Sequence, residues 1–294
     1  MANLRLRDLT VLKGQVALVT GAGTGIGRMI ARGLAANGAR VYITGRRLNV
    51  LREAAEEGAR EGLDLIPIQM DVSNKEGVEK AVKVLREKEG KLHILVNNAG
   101  GAGPHAGFTG DPSAPERKDT ETFGRALFDF QTFEDWNNVF QLNVSALFFC
   151  TVAFMGLLQE GAKDLGEGET SSVINISSAI AIGHVSLGRF AYASSKAAVN
   201  HLTRMMATDF ALQKVPIRVN AIAPGIFNSQ LVESSGIPEF MAASKIVPGT
   251  ISPAPTKRPG RSVRLTTTLS LVATAGYING QIVVVDGGYH LVNP

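Results

Sequence analysis

The sequence predicts an α/β fold, a doubly wound parallel sheet with helices on both faces. Two observations predict it. Short apolar runs alternate with helical patterns along most of the chain, the mark of strand–helix–strand units. The glycine-rich and polar stretches Thr20 to Gly27, Gly45 to Arg47, Asp71-Val72 and Asn97 to Gly100 each fall directly after one of those runs. In parallel sheets of this kind, ligands bind beyond the carboxyl ends of the strands.

Val16-Ala17-Leu18-Val19 marks a first strand over about 15–20, which stops at Thr20-Gly21. Gly21, Gly25 and Gly27 follow, then a helical pattern over 25–37 with Gly38 at its end. Strand, glycine turn and helix open a Rossmann-type dinucleotide-binding unit. One glycine makes the tight turn, one admits a pyrophosphate to the backbone, and one lets helix and strand pack closely. Thr24 and Ile26 lie between these glycines and belong to the same predicted cradle. The spacing is G-x-x-x-G-x-G, not the G-x-G-x-x-G of the long-chain fingerprint.

Arg40 to Thr44 is the second strand, Leu48 to Glu61 a helix closed by Gly62, and Leu65 to Met70 the third strand. Ser73 has the chemistry of an N-cap for a helix reaching about Glu89. Leu92 to Val96 is the fourth strand. Residues 101–133 then break the rhythm as an insertion at the mouth of the predicted site, and both a disordered segment and a partly ordered lid fit its composition. Phe133 to Gly156 resumes as a long helix, followed by a strand over 173–176, a helix over 190–213 and a strand over 217–222. Residues 226–262 carry no assignment. A helix near 263–274 and a strand over 281–285 close the pattern. No internal repeat or linker interrupts it, so residues 1–294 read as one domain.

Composition narrows the function classes. The 294 residues are 45% hydrophobic, and the formal net charge is +4. The basic residues are scattered, which argues against nucleic-acid or polybasic membrane partners. Cys150 sits within an apolar run and reads as a buried thiol. The five histidines lack ligand spacing, so no metal is expected. The first residues lack the apolar core of a signal peptide, and no apolar run has the length of a membrane span, so a cytoplasmic protein is expected.

Tyr192 and Lys196 carry the chemistry. Four residues apart on a helix, they share one face. A phenol is a poor acid–base at neutral pH, and a neighbouring ammonium favours its ionised form and brings its pKa closer to the operating range.

Thr20-Gly21-x-x-x-Gly25-x-Gly27, Asn97-Asn98-Ala99-Gly100, Tyr192-x-x-x-Lys196 and Pro224-Gly225 occur in that order. In this combination the chain resembles the classical short-chain dehydrogenases/reductases over roughly residues 12–289. The resemblance implies that Ser178 polarises the substrate carbonyl, with Ser177 as its neighbour. It implies that Asn143 holds a water in a proton relay, that Tyr192 is the general acid, and that Lys196 binds the nicotinamide ribose. It assigns the adenine contact to Asp71 and Val72, the adenosine ribose to Asn98, Ala99 and Gly100, and the carboxamide to Pro224, Gly225, Ile226 and Ser229. Tyr192 lies one residue further from Ser178 than the family's usual spacing.

Enzymes that prefer NAD place an acid at the end of the second strand. Here Thr44-Gly45 is followed by Arg46 and Arg47, whose guanidiniums suit a 2′-phosphate, so NADP(H) is the expected cofactor. The closing segment Asp286 to Leu291 and the longer Ser–Tyr spacing are similar to β-ketoacyl reductases of the rhamnolipid-precursor type. The implied function is NADPH-dependent reduction of a ketone or β-keto carbonyl, including a 3-oxoacyl thioester. An alcohol dehydrogenase running oxidatively and a non-catalytic NADP(H)-binding regulator are the alternatives. The partners expected are a small carbonyl or alcohol substrate and further copies of the chain. The segment Arg258 to Arg264 lacks the acids with which family members usually start a helix, which leaves dimer and tetramer both open.

Overall fold

A computed structural model describes residues 11–227, 252 and 254–293. Strand β1 (Val16–Thr20) is buried at every position. It pairs in parallel with β2 (Arg40–Gly45) on one side and β4 (Ile94–Asn97) on the other, so that Ala17 faces both Val41 and Ile94 in register. With β3 (Leu65–Gln69), β5 (Ser171–Ile176), β6 (Ile217–Pro224) and β7 (Ile282–Val285), the sheet runs β3-β2-β1-β4-β5-β6-β7, all parallel. The strand order reverses between β1 and β4, and a crevice opens there at the strands' carboxyl ends.

In chain order the helices are α1 (Gly25–Ala36), α2 (Leu48–Arg60), α3 (Lys75–Lys88) and α4 (Thr120–Phe130). Then come α5 (Phe133–Phe140), α6 (Ala146–Leu165), α7 (Phe190–Leu212), α8 (Ser262–Thr274) and the short α9 (Tyr289–Val292). Side chains on a strand alternate between faces, and the two faces build two cores. Ala17, Val19, Val41 and Val96 pack with Ile30 and Leu34 of α1, Leu51 of α2 and Leu269 of α8. Val16, Leu18, Leu95 and Val173 pack with Leu85 of α3, Phe154 and Leu158 of α6 and Met206 of α7. Cys150 lies in this second core, and burial pushes its thiol up to about 12.

Helix α6 lies close against the sheet. A Cβ on Gly161 would come within 2.0 Å of the Leu92 carbonyl oxygen, and Leu92 N–H donates to the Leu157 carbonyl at 2.9 Å. The continuous helical stretch Phe133–Leu165 is long and apolar enough to match a membrane span, but its inner face is core. Buried Arg218 on β6 donates to the carbonyls of Val272, Ala273 and Ile278 and to Thr170 Oγ1, which closes the end of α8.

Four local readings change. Asn74, not Ser73, caps α3: its side chain accepts from Gly77 N–H, while Ser73 Oγ donates to Asp71. The helix begun at Phe133 runs on to Leu165, through a π-turn over Gln141–Ser145. The strand expected over 217–222 continues to Pro224. The insertion is ordered: Asp119 caps α4 by accepting from Thr122 N–H, and Phe108 meets Phe123 and Phe130 edge to face at 6.1 and 6.0 Å. Ser229 lies outside the described residues.

Candidate active site

The cleft at the strand ends has a volume of about 570 Å³. Its first wall is the glycine turn. Gly21 (φ +64) and Gly25 (φ +56) hold left-handed conformations that favour glycine. A Cβ on Gly27 would meet Asn98 Nδ2 at 2.3 Å and the Gly21 carbonyl oxygen at 2.5 Å. Each glycine therefore has a steric reason to be one, and Thr24 and Ile26 line the cleft between them. Asn98 ties this turn to the end of β4. Its side chain donates to the carbonyls of Thr20 and Gly21, and Thr20 Oγ1 accepts from the N–H groups of Asn98 and Ala99. The backbone of Ala99 and Gly100 then forms the cleft rim.

Arg46 and Arg47 are exposed at the end of β2, with Asp71 and Val72 nearby at the end of β3. The N–H and hydroxyl of Ser73 both donate to Asp71 Oδ1, at 2.9 and 2.7 Å. Those bonds, with the charge of Arg46, hold the Asp71 carboxyl below the usual range. This end offers two guanidiniums and one carboxylate, and a nucleotide carrying an extra phosphate fits that donor set. At the other side, Gly225 and Ile226 line the cleft. A Cβ on Gly225 would come within 2.7 Å of Asp286 Cα, so the end of β6 can approach β7 only as glycine.

Ser178, Tyr192 and Lys196 meet deep in the cleft. Lys196 is buried, and its Nζ donates to the Ile176 carbonyl at 2.8 Å and lies 5.8 Å from the Tyr192 ring centroid. Burial lowers its ammonium to about 8. Burial likewise pushes the Tyr192 phenol above the ordinary range, while a hydrogen bond with Ser178 and the charge of Arg189 pull it back. The Lys196 ammonium is turned onto the Ile176 carbonyl, and burial is the largest influence on the phenol. The two serines are also distinguished: Ser177 Oγ donates to the Lys196 backbone carbonyl at 3.3 Å, and Ser178 is the one beside the phenol.

Asn143 is buried in the π-turn. Its Nδ2 donates to the Gly101 carbonyl (3.0 Å) and Ser195 Oγ (2.9 Å), and its Oδ1 accepts from Gly101 N–H (2.9 Å). Its amide thus fastens the strand β4 exit to helix α7. Several lining residues escape a sequence reading. His105 and Thr109 arrive from the insertion, and Leu187 and Arg189 from the segment before α7. Only Arg189 left a signal, as a cation three residues before Tyr192.

A family model described as short chain dehydrogenase matches residues 15–238. The chain belongs to the short-chain dehydrogenase family. As a member it is an oxidoreductase, and the family uses a nicotinamide cofactor. Short-chain dehydrogenase/reductase PhomF of Diaporthe leptostromiformis is 37% identical over 98% of the chain and 95% of that relative. The rhamnolipids biosynthesis 3-oxoacyl-(acyl-carrier-protein) reductase of Pseudomonas aeruginosa is 34% identical over 95% of the chain and 98% of that protein. Among solved structures, a Pseudomonas aeruginosa RhlG/NADP active-site complex superimposes with a TM-score of 0.77 at 33% identity, over 96% of this chain and 98% of the other.

Proposed function

We propose that this short-chain dehydrogenase uses NADPH to reduce a ketone or β-keto carbonyl, with the chain working as one domain. The observation that carries the reading is that Ser178, Tyr192 and buried Lys196 line one cleft, with the Lys196 Nζ 5.8 Å from the Tyr192 ring centroid, and that the far end of the cleft carries Arg46 and Arg47. A phenol held above its ordinary pKa stays protonated at neutral pH, the form a carbonyl reduction consumes.

When bound, the cofactor supplies the hydride. Gly21, Thr24, Gly25, Ile26 and Gly27 hold its pyrophosphate on backbone N–H groups at the start of α1. Arg46, then Arg47, takes the 2′-phosphate, Asp71 and Val72 the adenine, and Asn98, Ala99 and Gly100 the adenosine ribose. Pro224, Gly225 and Ile226 face the carboxamide, a contact to which the family resemblance also assigns Ser229. Ser178 donates a hydrogen bond to the carbonyl oxygen and Tyr192 gives it a proton. Lys196 holds the nicotinamide ribose. Asn143 fixes the floor of the relay through Gly101 and Ser195. The relative described as a 3-oxoacyl reductase and the structural neighbour described as an NADP complex support this class of substrate and cofactor. Exposed Phe148 and Phe149 on α6 and Leu212 on α7 support assembly with further copies, and light scattering in solution tests it. We place the protein in the cytoplasm, a reading that cell fractionation tests.

The deciding experiment follows NADPH and NADH oxidation against β-ketoacyl thioesters, β-ketoesters, free oxo acids and simple ketones. Turnover of one class with NADPH is expected. Binding of NADPH without turnover in either direction would favour the regulator reading, and alcohol oxidation alone would reverse the direction.

A further inference from the structure

Basic side chains outnumber acids along the cleft, and Arg189 and Lys196 are the two beside Tyr192. The cleft lining includes Arg46 and Arg47 at its far end and Arg189 and Lys196 at this one, and among the described residues its one carboxylate is Asp71, under the influence of Arg46. Lys196 is satisfied by the Ile176 carbonyl. Among the described residues no carboxylate pairs with Arg189, and the group whose charge acts on it is the Tyr192 phenol. Buried Arg218 makes the contrast plain, since backbone carbonyls and Thr170 take up its donors. A partly buried guanidinium without a partner is costly to keep, and such a group in a cleft points to a ligand that completes it.

The backbone aims Arg189 there. Leu187 (φ 54) and Gly188 (φ 69) are successive left-handed residues, and the chain then enters α7 with Arg189 as its N-cap. Left-handed backbone is unfavourable for leucine and persists only where surroundings hold it. The insertion does so here. Ala106 N–H donates to the Gly188 carbonyl at 2.9 Å, and a Cβ on Gly188 would lie 2.4 Å from the Ala106 oxygen and 2.8 Å from Thr109 Oγ1. His105 and Thr109 thereby line the same part of the cleft. Burial and the nearby Arg189 keep the His105 imidazole neutral, as a hydrogen-bonding group and not a second cation.

We propose that Arg189, flanked by His105 and Thr109, forms a subsite for a carboxylate on the carbonyl substrate. The inference rests on the proposed function and narrows it. The substrate carries its ketone to Tyr192 and Ser178 and a free carboxylate to a guanidinium one helical turn away. A short oxo acid meets that requirement; an oxoacyl thioester, whose carboxyl is masked, does not. The planar guanidinium suits bidentate pairing with a carboxylate.

The test uses acetoacetate and 4-oxopentanoate against their methyl esters and a 3-oxoacyl thioester, with NADPH and the full-length protein. The native protein is expected to favour each acid over its ester at least tenfold in kcat/KM. In Arg189→Gln that ratio falls toward one, chiefly through KM for the acid, and Arg189→Lys recovers part of it. Equal losses on acid and ester, with a shifted pH profile of kcat, would mean that Arg189 acts through Tyr192 and would overturn the subsite. So would a native preference for ester or thioester. Calorimetric binding of 4-oxopentanoate to the NADP-loaded protein is run on the same variants. If no carbonyl is turned over, the proposed function fails, and the subsite is judged by binding alone: binding lost in Arg189→Gln supports it, while binding equal in the two proteins, or absent from the native one, overturns it.

Discussion

At the scale of single residues, the cleft divides its labour between groups that hold and groups that react. Removing the Tyr192 hydroxyl leaves the glycine turn and the arginines intact. Tyr192→Phe is therefore expected to bind NADPH normally and to lose turnover by about 10²–10⁴-fold, the usual worth of a positioned general acid. Fluorescence titration beside steady-state rates checks both halves. Arg46 is exposed at the end of β2, so its substitution should not disturb the fold. Arg46→Ala is expected to cost about 1.5–3 kcal/mol of NADPH binding, the range of a hydrogen bond to a charged group, and to change NADH binding little. Equal weakening of both cofactors would remove the 2′-phosphate role from Arg46. Tyr192 and Lys196 stood out by their spacing and chemistry, and Ser178 entered through the family resemblance; the structure brings all three to one cleft. The state of the phenol was not legible in the sequence, since it depends on burial and on Arg189, and neither follows from spacing.

At the scale of elements, strand–helix alternation located β1 to β7 closely, because a doubly covered strand must be a compact apolar run. The failures have physical causes. A π-turn adds one residue without changing composition, so Gln141–Ser145 reads as ordinary helix although it is what places Asn143 under Gly101. The insertion left disorder and a partly ordered lid both open, because Phe108, Phe123 and Phe130 are far apart in sequence and meet only after folding. The Asp119 cap was the readable clue to α4. Contact between α6 and β4 gives the sharpest test at this scale. Gly161→Ala puts a methyl group against the Leu92 carbonyl, a backbone atom that cannot yield, so a loss of about 3 kcal/mol is expected, at the upper end of overpacking costs. Urea unfolding measures it, and a loss below about 0.5 kcal/mol would show that α6 is free to shift.

At the scale of the whole molecule, the two strand ends have different duties. The carboxyl ends form the cleft, and the amino ends hold the sheet together. There His93 accepts from Val16 N–H at Nδ1 (2.9 Å) and meets Asp164 through Nε2 (3.0 Å), with Lys91 on the same carboxylate. Burial lowers the His93 pKa and outweighs the pull of Asp164. A histidine whose folded pKa lies below the unfolded value of about 6.5 contributes fully above that pH and loses its contribution as pH falls through the folded pKa. Thermal stability is therefore expected to decline from pH 7 toward pH 5, and His93→Gln, which keeps an acceptor and a donor, should flatten that decline. An unchanged slope in the variant would assign the acid sensitivity elsewhere.

Cys150 has a practical consequence. It is the protein's one thiol, is 1% exposed, and is held almost wholly un-ionised by its surroundings. A thiol must be both reachable and ionised to attack an alkylating reagent. In the folded molecule it is neither, so labelling must wait for the second core to open. The rate at which iodoacetamide tags this protein is then a direct clock for that opening, with no probe introduced and the catalytic cleft untouched.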